Sequence, residues 1–154
     1  MSEAQHELKI DLVLDAPREK LFQCWTDPAL LKQWFAPKPW SISVAEIDVR
    51  PGGVSNIVMR SPEGDEYPNS GLFLEVVKNE KLVMTDGLTA GYRPAGKPFM
   101  VAEVLFQDAG AGKTRYIARA MHWTAESREE HEKMGFFEGW TATARQLEEL
   151  AKTL

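Results

Sequence analysis

The chain has 154 residues, of which 44% are hydrophobic and 27% are charged, and its formal net charge is −5. These values predict one globular domain over residues 1–154 that buries a core without disulfides. The acidic balance argues against nucleic-acid binding, which needs a basic face, and no apolar run approaches the roughly 20 residues that span a bilayer. Cys24 is the single cysteine, so no internal disulfide can form. We expect a cytoplasmic protein with no membrane partner.

The first predicted elements are one strand and two short helices. Period-two alternation predicts a half-buried strand through Leu8, Ile10, Leu12 and Leu14. Pro17 suits the first turn of a helix whose apolar face is Leu21, Phe22 and Trp25. Asp27 as the N-cap and Pro28 at the first helical position predict a second short helix, which ends at Pro37.

The middle of the chain has turn residues at the spacing that is typical of successive strands. Turn signals divide it into predicted strands at 41–49, 54–60, 71–77, 82–85, 99–107 and 114–123. Sequential strands joined by short turns predict an antiparallel meander. The one long connection, residues 86–98, contains three glycines and two prolines. It is either a functional loop or an ordinary surface excursion.

The last predicted element is one amphipathic helix from about Ser127 to the C-terminus. Ser127 and Glu130 have the spacing of a capping box. Apolar residues share a broad face at helical spacing, among them Phe136, Trp140, Leu147 and Leu150. Gly135 and Gly139 interrupt this face, either because a strand approaches closely or because a ligand needs the space.

This order of elements predicts an α+β fold. A single helix cannot cover a broad flat sheet, but a curved antiparallel sheet of about six to seven strands can wrap around it while the two short helices close one end. We therefore predict a helix-grip fold around the long C-terminal helix. Large side chains on a concave sheet often leave space beneath them, so the fold also predicts a cavity.

Six motifs carry a resemblance to a known family. In chain order they are Trp25-Thr26-Asp27-Pro28, Trp34-Phe35-Ala36-Pro37, Asp48-Val49-Arg50-Pro51-Gly52-Gly53, Ser70-Gly71, Glu80-Lys81-Leu82-Val83 and Met134-Gly135-Phe136-Phe137-Glu138-Gly139-Trp140. The chain resembles the helix-grip superfamily of the birch-pollen allergen and the steroidogenic lipid-transfer domains. Within it, the chain is similar to the bacterial single-domain branch named after the activator of heat-shock-protein ATPase. The resemblance covers nearly the whole chain.

The resemblance implies a cavity for a hydrophobic or amphipathic small molecule. Relatives include lipid carriers, hormone receptors, antibiotic-sequestering proteins and a few cyclases, so the fold alone does not fix the function. Binding of such a molecule is our first hypothesis, and a cyclase or isomerase using the same cavity is the alternative. Activation of a chaperone ATPase is a third, for which we see no additional domain. The sequence leaves room for a homodimer without fixing the oligomeric state.

Ten residues are predicted to line the cavity. They come from the inner strand faces and the last helix: Trp40, Ser55, Ile57, Met59, Phe73, Met84, Asp86, Val101, Phe136 and Trp140. Ser55 and Asp86 stand where relatives usually have aromatics. If these side chains face inward, the cavity is roomier or more polar than usual, and if they face outward, they carry no information about it. The aromatics Trp25, Trp34 and Phe35 are interpreted first as core that locks the short helices to the sheet, with lining of the cavity as the alternative.

Signals for chemistry are weak. None of His6, His122 and His131 has metal-ligand spacing with a second ligand, so no metal and no cofactor are predicted. His122 and His131 are interpreted as structural or solvent-facing, with a pair at one cavity mouth as the alternative. The chain has no nucleophile elbow, phosphate loop or dinucleotide fingerprint. Catalysis would therefore need an inward carboxylate on a strand, which the blurred alternation does not identify.

Overall fold

The computed structural model describes residues 6–154. Its helices are α1 (Arg18–Thr26), α2 (Pro28–Leu31), α3 (Ala125–Lys133) and α4 (Phe136–Ala151). Its strands are β1 (Glu7–Leu14), β2 (Ser41–Ile47), β3 (Val54–Arg60), β4 (Glu66–Val77), β5 (Lys81–Thr85), β6 (Leu88–Thr89), β7 (Arg93–Pro94), β8 (Met100–Gly110) and β9 (Lys113–His122). Within residues 6–154, no helix is long and apolar enough to cross a membrane.

Seven strands form one curved antiparallel sheet, which confirms the predicted α+β helix-grip architecture. The strand order is β1-β9-β8-β5-β4-β3-β2, so the first strand pairs with the last one and the others follow as a meander. One row across the inner face aligns Ile10, Ala118, Val104 and Leu82, all of them buried. Alternation along each strand therefore presents an apolar concave face to the helices.

An aromatic clamp, consisting of Trp25, Trp34 and Phe35, closes one end of this concave face. The three rings meet edge to face, with centroids 5.0–5.4 Å apart. The Trp34 indole Nε1 donates to the carbonyl of Cys24 at 3.0 Å, so the buried indole nitrogen is paired. Asp27 caps α2 by accepting from the backbone N–H of Ala29 at 2.9 Å, as the sequence predicted.

The C-terminal helical region differs from the prediction of one continuous helix. Gly135 has a φ of +96°, in the left-handed region, and this residue separates α3 from α4. The N-cap of α3 is Thr124, whose hydroxyl accepts from Ser127 N–H at 3.0 Å, so the predicted capping box at Ser127 is wrong. The long helix in the grip of the sheet is consequently the 16-residue α4.

Helix α4 packs against β1 and α1. Its inward residues Phe136, Ala144, Leu147 and Ala151 are buried. Gln146 attaches the helix to the segment after α2: its Nε2 donates to the carbonyls of Trp34 and Ala36 at 2.9 and 2.8 Å. Its Oε1 accepts from the N–H of Lys38 at 3.0 Å. These bonds fix the clamp relative to α4.

The long connection after β5 is partly ordered by its own hydrogen bonds. Its two short strands, β6 and β7, pair as a separate two-stranded sheet. Asp86 at the start of the loop accepts backbone hydrogen bonds from Phe99 and Met100 at its end, so the two ends are held together.

Candidate functional site

A cavity of about 480 Å³ lies between the main sheet and the helices. The sheet lines it mostly with small or apolar side chains: Ile10, Ser55, Ile57, Met59, Asn69, Ser70, Gly71, Met84, Thr85, Met100, Ala102, Val104, Tyr116 and Ala118. The helices and connections contribute Trp25, Trp34, Phe35, Pro37, Asp86, Phe99, His131, Met134, Gly139, Trp140 and Thr143. The volume falls within the roughly 300–1,000 Å³ of small-molecule pockets.

The cavity reaches the surface beside the junction of α3 and α4. Met134 lines the cavity and is also 70% exposed. Asn69 and Ser70 of β4 are likewise exposed lining residues. These residues form a rim through which a molecule could enter. A second concavity, of about 450 Å³, lies against α3 and its C-terminal end, where one helix supplies all of its lining residues.

Six of the ten predicted lining residues border the cavity: Ser55, Ile57, Met59, Met84, Asp86 and Trp140. Ser55, Ile57 and Met59 alternate on β3, which is the period expected of an inward strand face. Both positions at which the sequence departs from its relatives, Ser55 and Asp86, therefore belong to the cavity wall. Contact of these residues with a ligand stays a prediction.

The other four predicted residues do not border the cavity. Val101 lies between Met100 and Ala102, whose side chains face inward, so its own side chain is on the outer face of β8. Trp40 lies just before the edge strand β2, where its ring packs on that of Tyr67 with centroids 5.4 Å apart.

Phe73 and Phe136 are core residues instead. Phe73 is 2% exposed and lies beside a register shift in β4, where its backbone bonds to Gly52 and Gly53 of the neighbouring turn. The ring of Phe136 packs against those of His131 and Trp140, with centroids 5.1 and 4.5 Å away. Those two side chains border the cavity in its place.

Several lining residues were missed by the sequence prediction because they are small. Ala102 and Ala118 border the cavity with small side chains, which give no apolar signal of their own, whereas Gly71 is a glycine because a Cβ there would collide with the backbone of Thr85. The strand register would have found one of them, since Ala102 pairs with the predicted lining residue Met84 on the same face. Tyr116 could have been found from its period-two relation to Ala118.

Gly139 answers one question that the sequence left open. A Cβ at Gly139 would meet no atom within 4 Å, and the residue borders the cavity. The absent side chain therefore faces the cavity, and close approach of a strand or loop does not explain it. Position 135 is a glycine for a different reason, which is the left-handed backbone between α3 and α4.

Asp86 is the one carboxylate among the lining residues of the described chain. Its Oδ1 accepts from the N–H groups of Phe99 and Met100 at 2.8 and 3.1 Å. These bonds pin the end of the long loop to its beginning, which gives Asp86 a structural task. Glu75 and Glu103 on the sheet form ion pairs with Lys81 and Arg119. Neither carboxylate borders the cavity.

Two histidines form a hydrogen-bonded pair at the α3 end of the cavity. His122 Nε2 and His131 Nδ1 are 2.9 Å apart, and His122 Nδ1 lies 2.9 Å from the carbonyl oxygen of His6. The His131 ring is surrounded by Phe99, Phe136 and Trp140 at centroid distances of 5.0–5.8 Å. Both side chains are buried, so the solvent-facing interpretation is wrong; the pair has structural contacts and lies beside the cavity, while closure of a cavity mouth stays a prediction.

The surroundings of His131 favour its uncharged form. The side chain is 7% exposed, and burial lowers its pKa from 6.5 to about 4, with a smaller contribution from His122. Residues 6–154 contain no group of three or more His, Cys, Asp or Glu side chains that could hold a metal ion. The pair is thus part of an aromatic wall.

Tyr116 is the polar group at the clamp end. Its hydroxyl oxygen accepts from Trp25 Nε1 at 3.1 Å, and its side chain is 3% exposed. Burial raises its pKa above the usual value, so the hydroxyl keeps its proton. Burial also raises the pKa of the Cys24 thiol to about 11, and this fits the interpretation of Cys24 as an inert core residue.

Comparison with known proteins assigns the chain to a family. The family described as "Activator of Hsp90 ATPase homolog 1-like protein" matches residues 15–152. No curated protein matches the chain.

Solved structures agree with the family match. A protein of Nitrosomonas europaea is 47% identical, with a TM-score of 0.94 and coverage of 99% of this chain and 97% of that one. An AHSA1 protein of Silicibacter pomeroyi is 25% identical, with a TM-score of 0.71 and coverage of 96% and 99%. A Mycobacterium smegmatis protein at 24% identity has the same fold, with a TM-score of 0.79 and coverage of 94% and 90%. The chain therefore belongs to the activator of Hsp90 ATPase homolog 1-like family, within the birch-pollen-allergen-like helix-grip superfamily.

Proposed function

We propose that this protein binds an apolar or amphipathic small molecule in the cavity between its sheet and α4. The observation that carries the proposal is the cavity itself, about 480 Å³ in volume and lined mainly by apolar and aromatic side chains. A domain of this size ordinarily packs its interior without voids larger than a water molecule. Space on this scale, with an exposed rim at Met134, is what a ligand site requires.

The small residues of the wall support the same proposal. Ala102 and Ala118 on the sheet and Gly139 on α4 border the cavity with small side chains or none. A glycine inside a helix costs about 0.5–1 kcal/mol relative to alanine, so Gly139 lowers the stability of α4 while it enlarges the cavity. A void kept at the expense of stability is expected where binding needs the volume.

A filled cavity tests the proposal directly. The change is Gly139→Leu, which directs a side chain into the cavity from a position where a Cβ meets no atom within 4 Å. The probe is N-phenyl-naphthylamine, an uncharged fluorophore that brightens in apolar surroundings. We expect saturable binding of one probe per wild-type chain and a higher melting temperature in its presence, because a ligand that binds only the folded state stabilises it.

The matched control is Gly96→Leu. A Cβ at Gly96 would also meet no atom within 4 Å, but this residue lies in the long loop away from the cavity lining. Probe binding should be lost in Gly139→Leu and kept in Gly96→Leu. Equal binding by both variants would place the probe outside the cavity and contradict the proposal. Gly139→Ala, the smaller change, serves if the leucine variant does not fold.

A further inference from the structure

When both rings are uncharged, it is fixed which histidine donates and which accepts the hydrogen bond between them. The carbonyl oxygen of His6 can only accept, so the Nδ1 of His122 carries its hydrogen. A neutral imidazole has one N–H, which leaves His122 Nε2 as an acceptor and makes His131 Nδ1 the donor of the 2.9 Å bond. The Nε2 of His131 is then an acceptor.

That acceptor has no protein partner. Among the hydrogen bonds of residues 6–154, none involves His131 Nε2. Nor is His131 Nε2 fully enclosed by protein atoms: within the described chain, the one fully enclosed side-chain nitrogen or oxygen without a hydrogen bond is Arg119 Nε, on the opposite face of the sheet. Because His131 borders the cavity, a ligand can reach this nitrogen.

The opposite end of the cavity offers a donor. The Tyr116 oxygen uses one lone pair to accept from Trp25 Nε1 at 3.1 Å. The hydroxyl proton has no acceptor among the described residues, although the side chain is only 3% exposed and borders the cavity. A buried donor left without a partner destabilises the protein, and an acceptor on a ligand would remove that cost.

The two groups lie at different ends of one space. Tyr116 and His122, the partner of His131, are both on β9 and six residues apart, so at about 3.3 Å per residue roughly 20 Å is the upper limit for the separation of their Cα atoms. The surface between them is apolar, with Ala118 on β9 and Ala102 and Val104 on β8. A ligand that satisfies both groups is therefore elongated and apolar in its middle.

Charge restricts the ligand further. No lysine or arginine of residues 6–154 borders the cavity, and the one carboxylate that these residues contribute to the lining is Asp86. A ligand carboxylate would therefore enter without a cation to pair with, beside a like charge. A lone buried charge is very costly, so anions such as fatty acids do not suit this lining.

We propose that the cavity selects an uncharged, elongated molecule with a hydrogen-bond acceptor at one end and a hydroxyl at the other. Tyr116 donates to the acceptor, and His131 Nε2 accepts from the hydroxyl. This assignment rests on the proposed function, because it concerns the chemistry of the molecule that fills the cavity.

Four biphenyls with matched skeletons test the assignment. The hydroxyketone has a para acetyl group on one ring and a para hydroxyl on the other. The ketone lacks the hydroxyl, the phenol lacks the acetyl group, and the acid has a carboxylate in place of the acetyl group. Dissociation constants are measured by calorimetry at pH 7, with Gly139→Leu as the filled-cavity control.

We expect the hydroxyketone to bind best. Each missing hydrogen bond should weaken binding by about fivefold, which corresponds to a net hydrogen bond of about 1 kcal/mol. The acid should bind at least about tenfold more weakly than the hydroxyketone, because its charge is desolvated without a partner.

Two substitutions assign the groups. Tyr116→Phe should abolish the advantage of the hydroxyketone over the phenol and keep its advantage over the ketone. His131→Asn should do the reverse, since an asparagine amide can replace Nδ1 toward His122 but has nothing in the place of Nε2. His131→Gln is the control for His131→Asn, because the glutamine amide takes the place of Nε2 instead of Nδ1.

The outcomes separate the two proposals. Equal binding of all four compounds to the wild type, with loss in Gly139→Leu, would retain cavity binding and overturn the polar selection. Tightest binding by the acid would also overturn it. Failure of all four to bind would overturn both proposals for molecules of this size.

Discussion

The aromatic clamp and the cavity wall are two regions of one interior that differ in side-chain volume. At the clamp, three large rings meet edge to face and both indole nitrogens have a hydrogen-bond partner. Along the cavity wall, Ala102 and Ala118 of the sheet and Gly139 of α4 border the open space. Both regions are enclosed by the same sheet and α4, so the difference comes from the side chains.

This difference indicates a division of labour. The clamp and the Gln146 bonds hold α1, α2 and α4 in place, and dense packing of this kind supplies much of a domain's stability. The wall can then leave space unfilled without losing the fold. Stability and binding are thus placed in neighbouring regions, a separation that substitutions can test.

Trp34→Ala should have the largest effect. Trp34 is 2% exposed, and its removal leaves a cavity within the packed clamp, so we expect a loss of about 3–5 kcal/mol in the free energy of unfolding. Met84→Ala, on the cavity wall, should lose less than half as much because its side chain is smaller than that of Trp34 and only partly buried. Urea denaturation measures both. Equal losses would remove the distinction between the two regions.

Acid should weaken the protein through His131, at the cavity's other end. The unfolded chain takes up a proton as the pH falls through 6.5, whereas the folded protein, with the His131 pKa at about 4, does not. Stability is therefore lost between pH 6.5 and 4, by up to about 3 kcal/mol, and this term is constant below pH 4. Urea denaturation at several pH values measures it.

The comparison for this pH effect is His131→Asn. Subtracting its unfolding free energy from that of the wild type at each pH removes the titration of groups that the two proteins share. A difference that does not change between about pH 7 and 4 would mean that His131 titrates normally in the fold.

Gln146→Ala should show how strongly α4 fixes the clamp. The change removes two donated bonds and one accepted bond to the segment after α2. We expect a loss of about 2 kcal/mol, measured by chemical denaturation. Gln23→Ala in α1 is the control, because Gln23 is exposed and makes no side-chain bond within the described chain. Its effect should stay within about 0.5 kcal/mol.

Gly139→Ala should have the smallest effect and the opposite sign. Alanine is favoured in a helix and its methyl group enters open space, so the variant should gain up to about 1 kcal/mol in thermal denaturation. Gly135→Ala should lose stability instead, because its φ of +96° is strained for alanine. A loss in Gly139→Ala would mean that the wall is tighter than its geometry indicates.

The sequence by itself determined the elements of the fold and their order. Period-two runs, Asp27-Pro28 and the Pro-Gly turns each act through local backbone preferences, so they could be interpreted without knowledge of distant residues. The inward alternation of Ser55, Ile57 and Met59 followed from the same rule. The break at Gly135 was not predicted, because glycine within an apolar helical pattern does not reveal its φ.

Only the tertiary structure decided which side chains surround the cavity. His122 and His131 meet across two elements, and Tyr116 meets Trp25 although 91 residues separate them in the chain. Val101 and Phe73 look like lining residues by composition, but strand register and a register shift turn or bury them. Such pairings depend on where the chain returns to itself, and an empty volume depends on several small residues converging, which no local pattern records.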